Sequence, residues 1–427
     1  MLRSALRQGL KRLLTGSPSL HLHPEPPRLA NLEVDSLGLY LHVPFCRRPC
    51  YYCPYFKERF DPGQALAYRD AVLREIEGYA PRLADATVTS LYIGGGTPTT
   101  MLGHGLEDIV QSLHQAFSLR GPLCTETHPT DVTPAAVERL HRLGITRVSM
   151  GVESLDDHHL RLLGRPYDSA AARRAITALV EGGFDCVNMD LMFGLPGQRI
   201  DHVQRDIRAA LDLGVTQISA YPIFTFPHTR LQEVARRRGL HIPGIALRRR
   251  MLRVIEDACY QAGLRRTSVW AFTAPGTPKY SSVTIPDYLG LGAGAGSLLP
   301  GHFFINTFSV RDYLSALAEG RSPVALSLPL TPEEERMHWL YWRIYETSVS
   351  RSAFRNRFGG ELDEKYGWII RLLSLLGLLS DNGETLTMTD RGSYWVHVLQ
   401  NLFALDFIGR VWGVCPQDPW PPRVELR

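Results

Sequence analysis

The chain has 427 residues, 44% hydrophobic and 21% charged, with a formal net charge of +4. That is the composition of an ordinary globular protein, and so small a charge gives no global argument for nucleic-acid binding. No apolar run reaches the length a membrane-spanning helix needs, and seven cysteines in a chain this long exclude a disulfide scaffold.

Residues 1–20, MLRSALRQGLKRLLTGSPSL, are basic and amphipathic. They lack the apolar core and small-residue cleavage site of a signal peptide. A solvated helix is the first reading, contact with a membrane surface the second, a transit peptide the third. Residues 17–35 are rich in proline, histidine and leucine and read as a linker, so 1–36 is a basic helix with its tether. A strand is predicted at 37–43. Directly after it, in the run YLHVPFCRRPCYYC over residues 40–53, Cys46, Cys50 and Cys53 stand in the spacing C-x3-C-x2-C. Three thiolates on one loop suit three irons of a cubane iron–sulfur cluster and leave the fourth iron without a protein ligand. An open iron can bind a small molecule, so the loop serves chemistry as well as electron storage. A zinc site would want a fourth ligand, often from a second cysteine pair, and none follows. Cys124, Cys186, Cys259 and Cys415 are scattered. Cys124 and Cys186 lie in apolar segments and read as buried thiols, and the whole set fits a reducing cytoplasm, free or at the inner face of the membrane.

Beyond the cysteines, apolar runs alternate with helical patterns. Helices are predicted at 65–80, at 105–116, at 134–143 with Thr133 as cap, at 170–182 and at 202–213. Strands are predicted at 88–93, 123–127, 147–152, 185–193 and 217–222. Such alternation argues for a parallel sheet. Six units fit a partial (β/α)6 barrel over 37–275, with its site at the C-terminal ends of the strands. Gly94, Gly95 and Gly96 end one strand before Thr97, and their missing side chains let the backbone approach a ligand. Glu126 and Asp190 stand at two other strands. Residues 276–330 read as a glycine-rich extension of the barrel. From residue 331 the pattern changes to helices at 332–347 and 363–376, a hairpin at 379–388 turning on Asn382 and Gly383, and a last helix at 393–405. The 331–427 segment is similar to a winged helix. It carries no basic stripe and reads as a domain covering the substrate. The expected fold is α/β, a partial barrel with a smaller C-terminal helical, winged-helix-like domain.

The motifs YxHxPFC at 40–46, IGGGTP at 93–98, GVES at 151–154, LGRP at 163–166, DLMFGLPGQ at 190–198 and YLGLGAG at 288–294 occur together. The set resembles the oxygen-independent coproporphyrinogen III oxidase family, the HemN/HemW branch of the radical S-adenosylmethionine superfamily. The likeness spans roughly residues 37–320. It implies a 4Fe-4S cluster on Cys46, Cys50 and Cys53. The open iron would chelate S-adenosylmethionine, and reduction would release a 5′-deoxyadenosyl radical. Carried over residue by residue, Gly94, Gly95, Gly96 and Thr97 hold the amino group through carbonyls. Glu126 meets the ribose or the amino group, Glu153 takes ribose hydroxyls, and Asp190 adds a further ribose and amino contact. Arg165 pairs the methionine carboxylate, Tyr40 packs near the cluster and the sulfonium, and Phe45 and Tyr55 shield the cluster. The resemblance also implies an electron donor such as flavodoxin or ferredoxin.

The oxidase's fourth cysteine, two residues past the third, is here Tyr55. The CPYF run at 53–56 looks closer to anaerobic haem-utilisation relatives and to class C radical methyltransferases. The leading expectation is therefore a class C-type methyltransferase acting on an sp2 carbon of a flat apolar ring: a quinone, an indole-like ring or a tetrapyrrole. It would use one or two molecules of S-adenosylmethionine, the second near 218–222 and 288–294, where Gly292 lies. His128 and Tyr280 are the candidate proton-abstracting bases. Tail aromatics, among them Tyr341, Trp342, Tyr345 and Trp412, would line the ring pocket. Two other readings stand beside it. One is a haem chaperone with His42, His128 or His141 on the iron. The other is an enzyme that modifies haem or porphyrin without oxygen. No nucleic-acid partner is expected.

Overall fold

The computed structural model describes residues 20–27, 29, 34–226, 228–281, 285–414 and 417–426, with 402–404 by backbone alone. Residues 1–19 of the basic segment predicted at 1–20, and Cys415, lie outside the described residues.

Six parallel strands form the centre: β1 (Ser36–Val43), β2 (Thr87–Gly95), β3 (Leu123–Thr127), β4 (Ile145–Glu153), β5 (Cys186–Phe193) and β6 (Gln217–Pro222). They lie side by side in sequence order. Helices α1 (Pro62–Tyr79), α2 (Leu106–Ala116), α3 (Pro134–Arg142), α4 (Ser169–Glu181) and α5 (Ile200–Asp212) make the crossovers, and α6 (Ile245–Gln261) follows β6. The strands are Val-, Ile- and Leu-rich and buried on both faces, as a covered parallel sheet requires; β5 has a single half-buried residue, Asp190. Polar side chains start the helices. Asp61 accepts from the Gln64 amide at 2.8 Å, Thr133 from Ala136 at 3.1 Å and Asp168 from Ala171 at 2.8 Å. Every crossover returns the chain to the same end, so the C-terminal ends of all six strands gather on one side.

The sheet does not close on itself. At one edge β7 (Ala271–Thr273) runs antiparallel to β6. At the other, β8 (Tyr288–Leu291) runs parallel to β1, followed by antiparallel β9 (Gly296–Leu299), β10 (His302–Asn306) and β11 (Val324–Pro329). The segment 276–330, expected as a glycine-rich extension of the barrel, thus supplies these four strands, with a turn at residues 292–295 between the first two. The expected linker is corrected in part. Leu20–Leu22 pairs antiparallel with Val424–Leu426, tying the two ends of the described chain together.

The C-terminal region contains α7 (Pro332–Tyr345), β12 (Ser348–Ser350), α8 (Arg351–Phe358), α9 (Leu362–Leu375), the hairpin β13 (Leu379–Asp381) and β14 (Thr385–Met388), and α10 (Asp390–Val414). Three helices with a β12-β14-β13 sheet make a winged-helix arrangement around its own core of Trp339, Phe354, Leu362, Ile370 and Leu386. The short α8 went unread in the sequence, where one apolar face of eight residues gives little periodicity. The last helix runs well past 393–405 and reaches the barrel. His397 packs on Trp270, Phe407 on Phe303 and Trp412 on Phe308. Among the described residues no helix is long and apolar enough to cross a membrane.

Candidate active site

The gathered strand ends, the cysteine loop, α7 and α10 line a partly open chamber of about 1290 Å³. The cysteine loop is fixed by backbone bonds. Gly96 donates to the Val43 carbonyl at 2.7 Å, Thr97 to Phe45 at 2.8 Å and Phe60 to Cys46 at 3.0 Å. The Lys57 ammonium clamps the far end by donating to the carbonyls of Cys53 at 2.8 Å and Tyr55 at 2.9 Å. Cys46, Cys50 and Cys53 are free, half-buried and face the chamber. Burial pushes the Cys46 thiol up to about 12, an ionisation cost that a bound soft metal removes. Among the described residues no three His, Cys, Asp or Glu side chains converge on one ion. Thiolates that each hold a different iron of a cluster need not converge.

The glycine turn after β2 is packed too closely for side chains. A Cβ on Gly96 would lie 2.6 Å from the Phe45 carbonyl oxygen, and one on Gly95, whose φ is 115°, 2.7 Å from the His42 ring. Gly95, Gly96 and Thr97 line the chamber. Gly94 does not; a Cβ there would strike the Tyr92 ring at 2.6 Å and the Glu126 carboxyl at 3.1 Å.

Three carboxylates and one arginine meet at the ends of β3, β4 and β5. Glu126 accepts from the Tyr92 hydroxyl at 2.5 Å and the Gly95 amide at 3.1 Å. Glu153 sits in the left-handed region (φ 74°) where the β4–β5 register breaks. It accepts from Tyr52 at 2.7 Å, from Tyr221 at 2.8 Å and from Arg165, its ion-pair partner. Asp190 accepts from the Asn188 amide at 2.7 Å and from Ser149 at 3.3 Å. Burial raises the Glu126 carboxyl, and burial with the charges of Glu153 and Glu126 holds Asp190 well above the usual range. The Arg165 Nε and His42 Nε2 are buried at the chamber wall without a protein partner. Tyr40 bonds His42 Nδ1 at 2.7 Å.

The other predicted residues divide. His128 lines the chamber, bonded to Thr130 at 2.7 Å, and burial beside Arg165 and Arg47 lowers it to about 3. Tyr280 lines it too and donates to the Tyr92 hydroxyl at 2.6 Å. Gly292 is corrected. It lies in the β8–β9 turn (φ 99°), where a Cβ would sit 2.2 Å from the Tyr68 hydroxyl, and it does not reach the chamber. His141 is corrected as well. It stacks on Phe184 and bonds the Gly182 carbonyl at 2.7 Å, away from the chamber. Phe45 is fully buried, and Tyr55, 47% exposed, lines the chamber and packs edge-on against Trp412. Sequence reasoning missed Tyr52, Tyr92 and Tyr221. Each stands within a few residues of a cluster cysteine or a strand's C-terminal end, the signal that locates such sites.

The chain is similar to known proteins in sequence and in fold. A profile of the radical SAM superfamily matches residues 40–210. The heme chaperone HemW of Mycobacterium tuberculosis is 30% identical over 70% of this chain and 79% of its own. The anaerobilin synthase of Escherichia coli O157:H7 is 28% identical over 85% of this chain and 83% of its own. The solved structure of coproporphyrinogen III oxidase (HemN) from Escherichia coli superposes with a TM-score of 0.75 at 20% identity, covering 90% of this chain and 94% of that one. The fold and the cysteine loop define a radical SAM protein, and the chain belongs to the HemN/HemW-like branch of that superfamily.

The superfamily uses a 4Fe-4S cluster and S-adenosylmethionine. The residues present fit both. Three free thiols face the chamber, and the acids outnumber the one arginine beside them, which suits a cationic sulfonium and ammonium. The unpartnered Arg165 Nε is a donor left over for a carboxylate.

Proposed function

We propose that this chain is a radical enzyme that modifies haem or a related tetrapyrrole without oxygen. The observation that carries the reading is the chamber. Its volume of about 1290 Å³ exceeds what S-adenosylmethionine alone would fill, and its lining includes the aromatic rings of Tyr341, Trp342, Tyr345, Phe303, Phe407 and Trp412. Flat ring faces suit a flat apolar substrate, and likeness to an anaerobilin synthase supports a tetrapyrrole.

When bound, the cluster and S-adenosylmethionine would supply a 5′-deoxyadenosyl radical. Cys46, Cys50 and Cys53 would hold the cluster. The Gly95–Thr97 turn, Glu126 and Asp190 would orient the cofactor's amino and ribose groups, and Arg165 its carboxylate. Arg165 stays oriented because Glu153 and Tyr52 fix its Nη2 end, leaving Nε free. Tyr341, Trp342 and Tyr345 of α7 would stack the ring.

The likeness to HemW supports a second reading, in which haem is carried unaltered. One anaerobic experiment separates the two. The reconstituted, reduced protein receives haem and methyl-labelled S-adenosylmethionine. Loss of the haem absorbance with 5′-deoxyadenosine release is the expected result, and label in the tetrapyrrole would add methyl transfer to the reaction. Haem that is bound and released intact, with no 5′-deoxyadenosine formed, overturns the enzymatic reading in favour of the carrier.

A further inference from the structure

Beside the polar strand ends, three residues from distant parts of the chain form one hydrogen-bonded line. Tyr280 donates to Tyr92 at 2.6 Å, and Tyr92 donates to Glu126 Oε1 at 2.5 Å. The line is held at both ends. Gln217 of β6 clamps the Tyr280 backbone, accepting from its amide at 2.9 Å and donating to its carbonyl at 3.0 Å. Glu126 Oε2 takes the Gly95 amide at 3.1 Å. The absent side chain of Gly94 leaves the space in which Tyr92 and Glu126 meet. All three residues face the chamber.

The direction of the bonds matters. Both hydroxyl protons point toward the carboxylate, so the Tyr280 oxygen keeps a lone pair for a donor in the chamber. Resting on the ring-modifying reading above, we propose that Tyr280, Tyr92 and Glu126 form a proton relay: Tyr280 takes a proton from the bound ring and Glu126 stores it. In that step a ring N–H or C–H bond breaks and its electron pair stays on the ring. The proton joins the Tyr280 oxygen, Tyr280's own proton passes to Tyr92, and Tyr92's passes to Glu126. Both tyrosines end neutral and the carboxylate ends as a carboxylic acid. Tyr280 is the residue that touches the substrate; Tyr92 and Glu126 act through it. His128, the other candidate base, has its Nδ1 engaged by Thr130, and among the described residues no hydrogen bond joins its ring to a carboxylate.

The test uses two readouts. The first is the carboxyl infrared band of Glu126 in the full-length protein without substrate, assigned by its loss in Glu126→Gln and titrated with pH. Tyr40, Tyr55, Tyr92, Tyr280, Glu153 and Asp190 are the titratable groups that act on Glu126 or are acted on by it. Tyr280→Phe and Tyr92→Phe leave all three carboxylates in place, so a shift in the Glu126 band comes from the lost hydroxyl. Tyr92→Phe removes a donor to the carboxylate and raises its midpoint. Tyr280→Phe raises it less, since the lost donor is one bond removed. The second readout is altered tetrapyrrole formed per 5′-deoxyadenosine released. Positioned proton transfer contributes ~100-fold or more, so both variants lower this ratio by about that factor. A Glu126 titration unmoved by Tyr280→Phe, or an unmoved ratio in either variant, overturns the relay. A wild-type protein that alters no ring overturns the ring reading, while the titration still decides whether the line is wired as proposed.

Discussion

Glu75→Gln separates a buried charge from the bonds around it. Glu75 lies on α1, only 2% exposed. Its Oε2 accepts from the Tyr313 hydroxyl at 2.6 Å and the Gly292 amide at 2.7 Å, and its Oε1 from the Asn306 amide at 2.7 Å. Burial outweighs these bonds and pushes the carboxyl from 4.5 to about 7. A shift of about 2.5 units is worth about 3 kcal/mol. The folded state binds this proton more tightly than the unfolded one. Its stabilising effect is therefore complete below the unfolded value of 4.5 and is lost as pH rises through about 7. Glutamine cannot ionise, but it turns an amide donor toward Asn306 or toward Tyr313 and Gly292, at a cost of about 1–3 kcal/mol. Wild type should thus be the more stable near pH ~5, and the variant should draw level or lead by pH ~8.5. Urea unfolding of both proteins at the two pH values measures the difference, and other titrating groups cancel in it. A difference that stays the same at both would refute the argument that Glu75 is held protonated by its surroundings.

Arg165→Ala leaves Glu153 buried with only tyrosine donors and should cost about 3–5 kcal/mol in unfolding experiments. Arg165→Met combined with Glu153→Gln should regain most of that stability without regaining affinity for S-adenosylmethionine, measured by equilibrium dialysis. Gly94→Ala places a methyl group against Tyr92 and Glu126 and should weaken S-adenosylmethionine binding ~10-fold, about 1.4 kcal/mol, while circular dichroism stays unchanged. Trp342→Ala removes one aromatic wall and should weaken haem retention about 2- to 13-fold by absorbance titration, from an aromatic contact of about 0.5–1.5 kcal/mol.

Much of this protein was legible along the chain. The spacing of Cys46, Cys50 and Cys53 encodes a ligand loop because all three ligands lie in one tight stretch. The β-α alternation encodes a parallel sheet because apolar periodicity is local, and Thr133 announces its helix for the same reason. The asparagine–glycine turn at 382–383 likewise marks its hairpin, where Asn382 accepts from the Thr385 amide at 2.8 Å. Gly292 shows the limit of a motif. Its glycine is required by the turn against Tyr68, a packing reason that no spacing distinguishes from a ligand contact.

The sequence by itself determined the cysteine loop, the order of the six parallel strands and their crossover helices, and the end of the sheet where the acids stand. Those follow from contacts within a few residues. Only the tertiary structure decided which side chains meet there. Tyr280 and Tyr92 are 188 residues apart, and Tyr221 and Glu153 are 68 apart. The long α10 crosses from the winged-helix region to the barrel, where Trp412 meets Phe308 and helps wall the chamber. Partners so distant in sequence leave no periodic trace in the chain, because what brings them together is the burial of the whole sheet and not the propensity of any one segment.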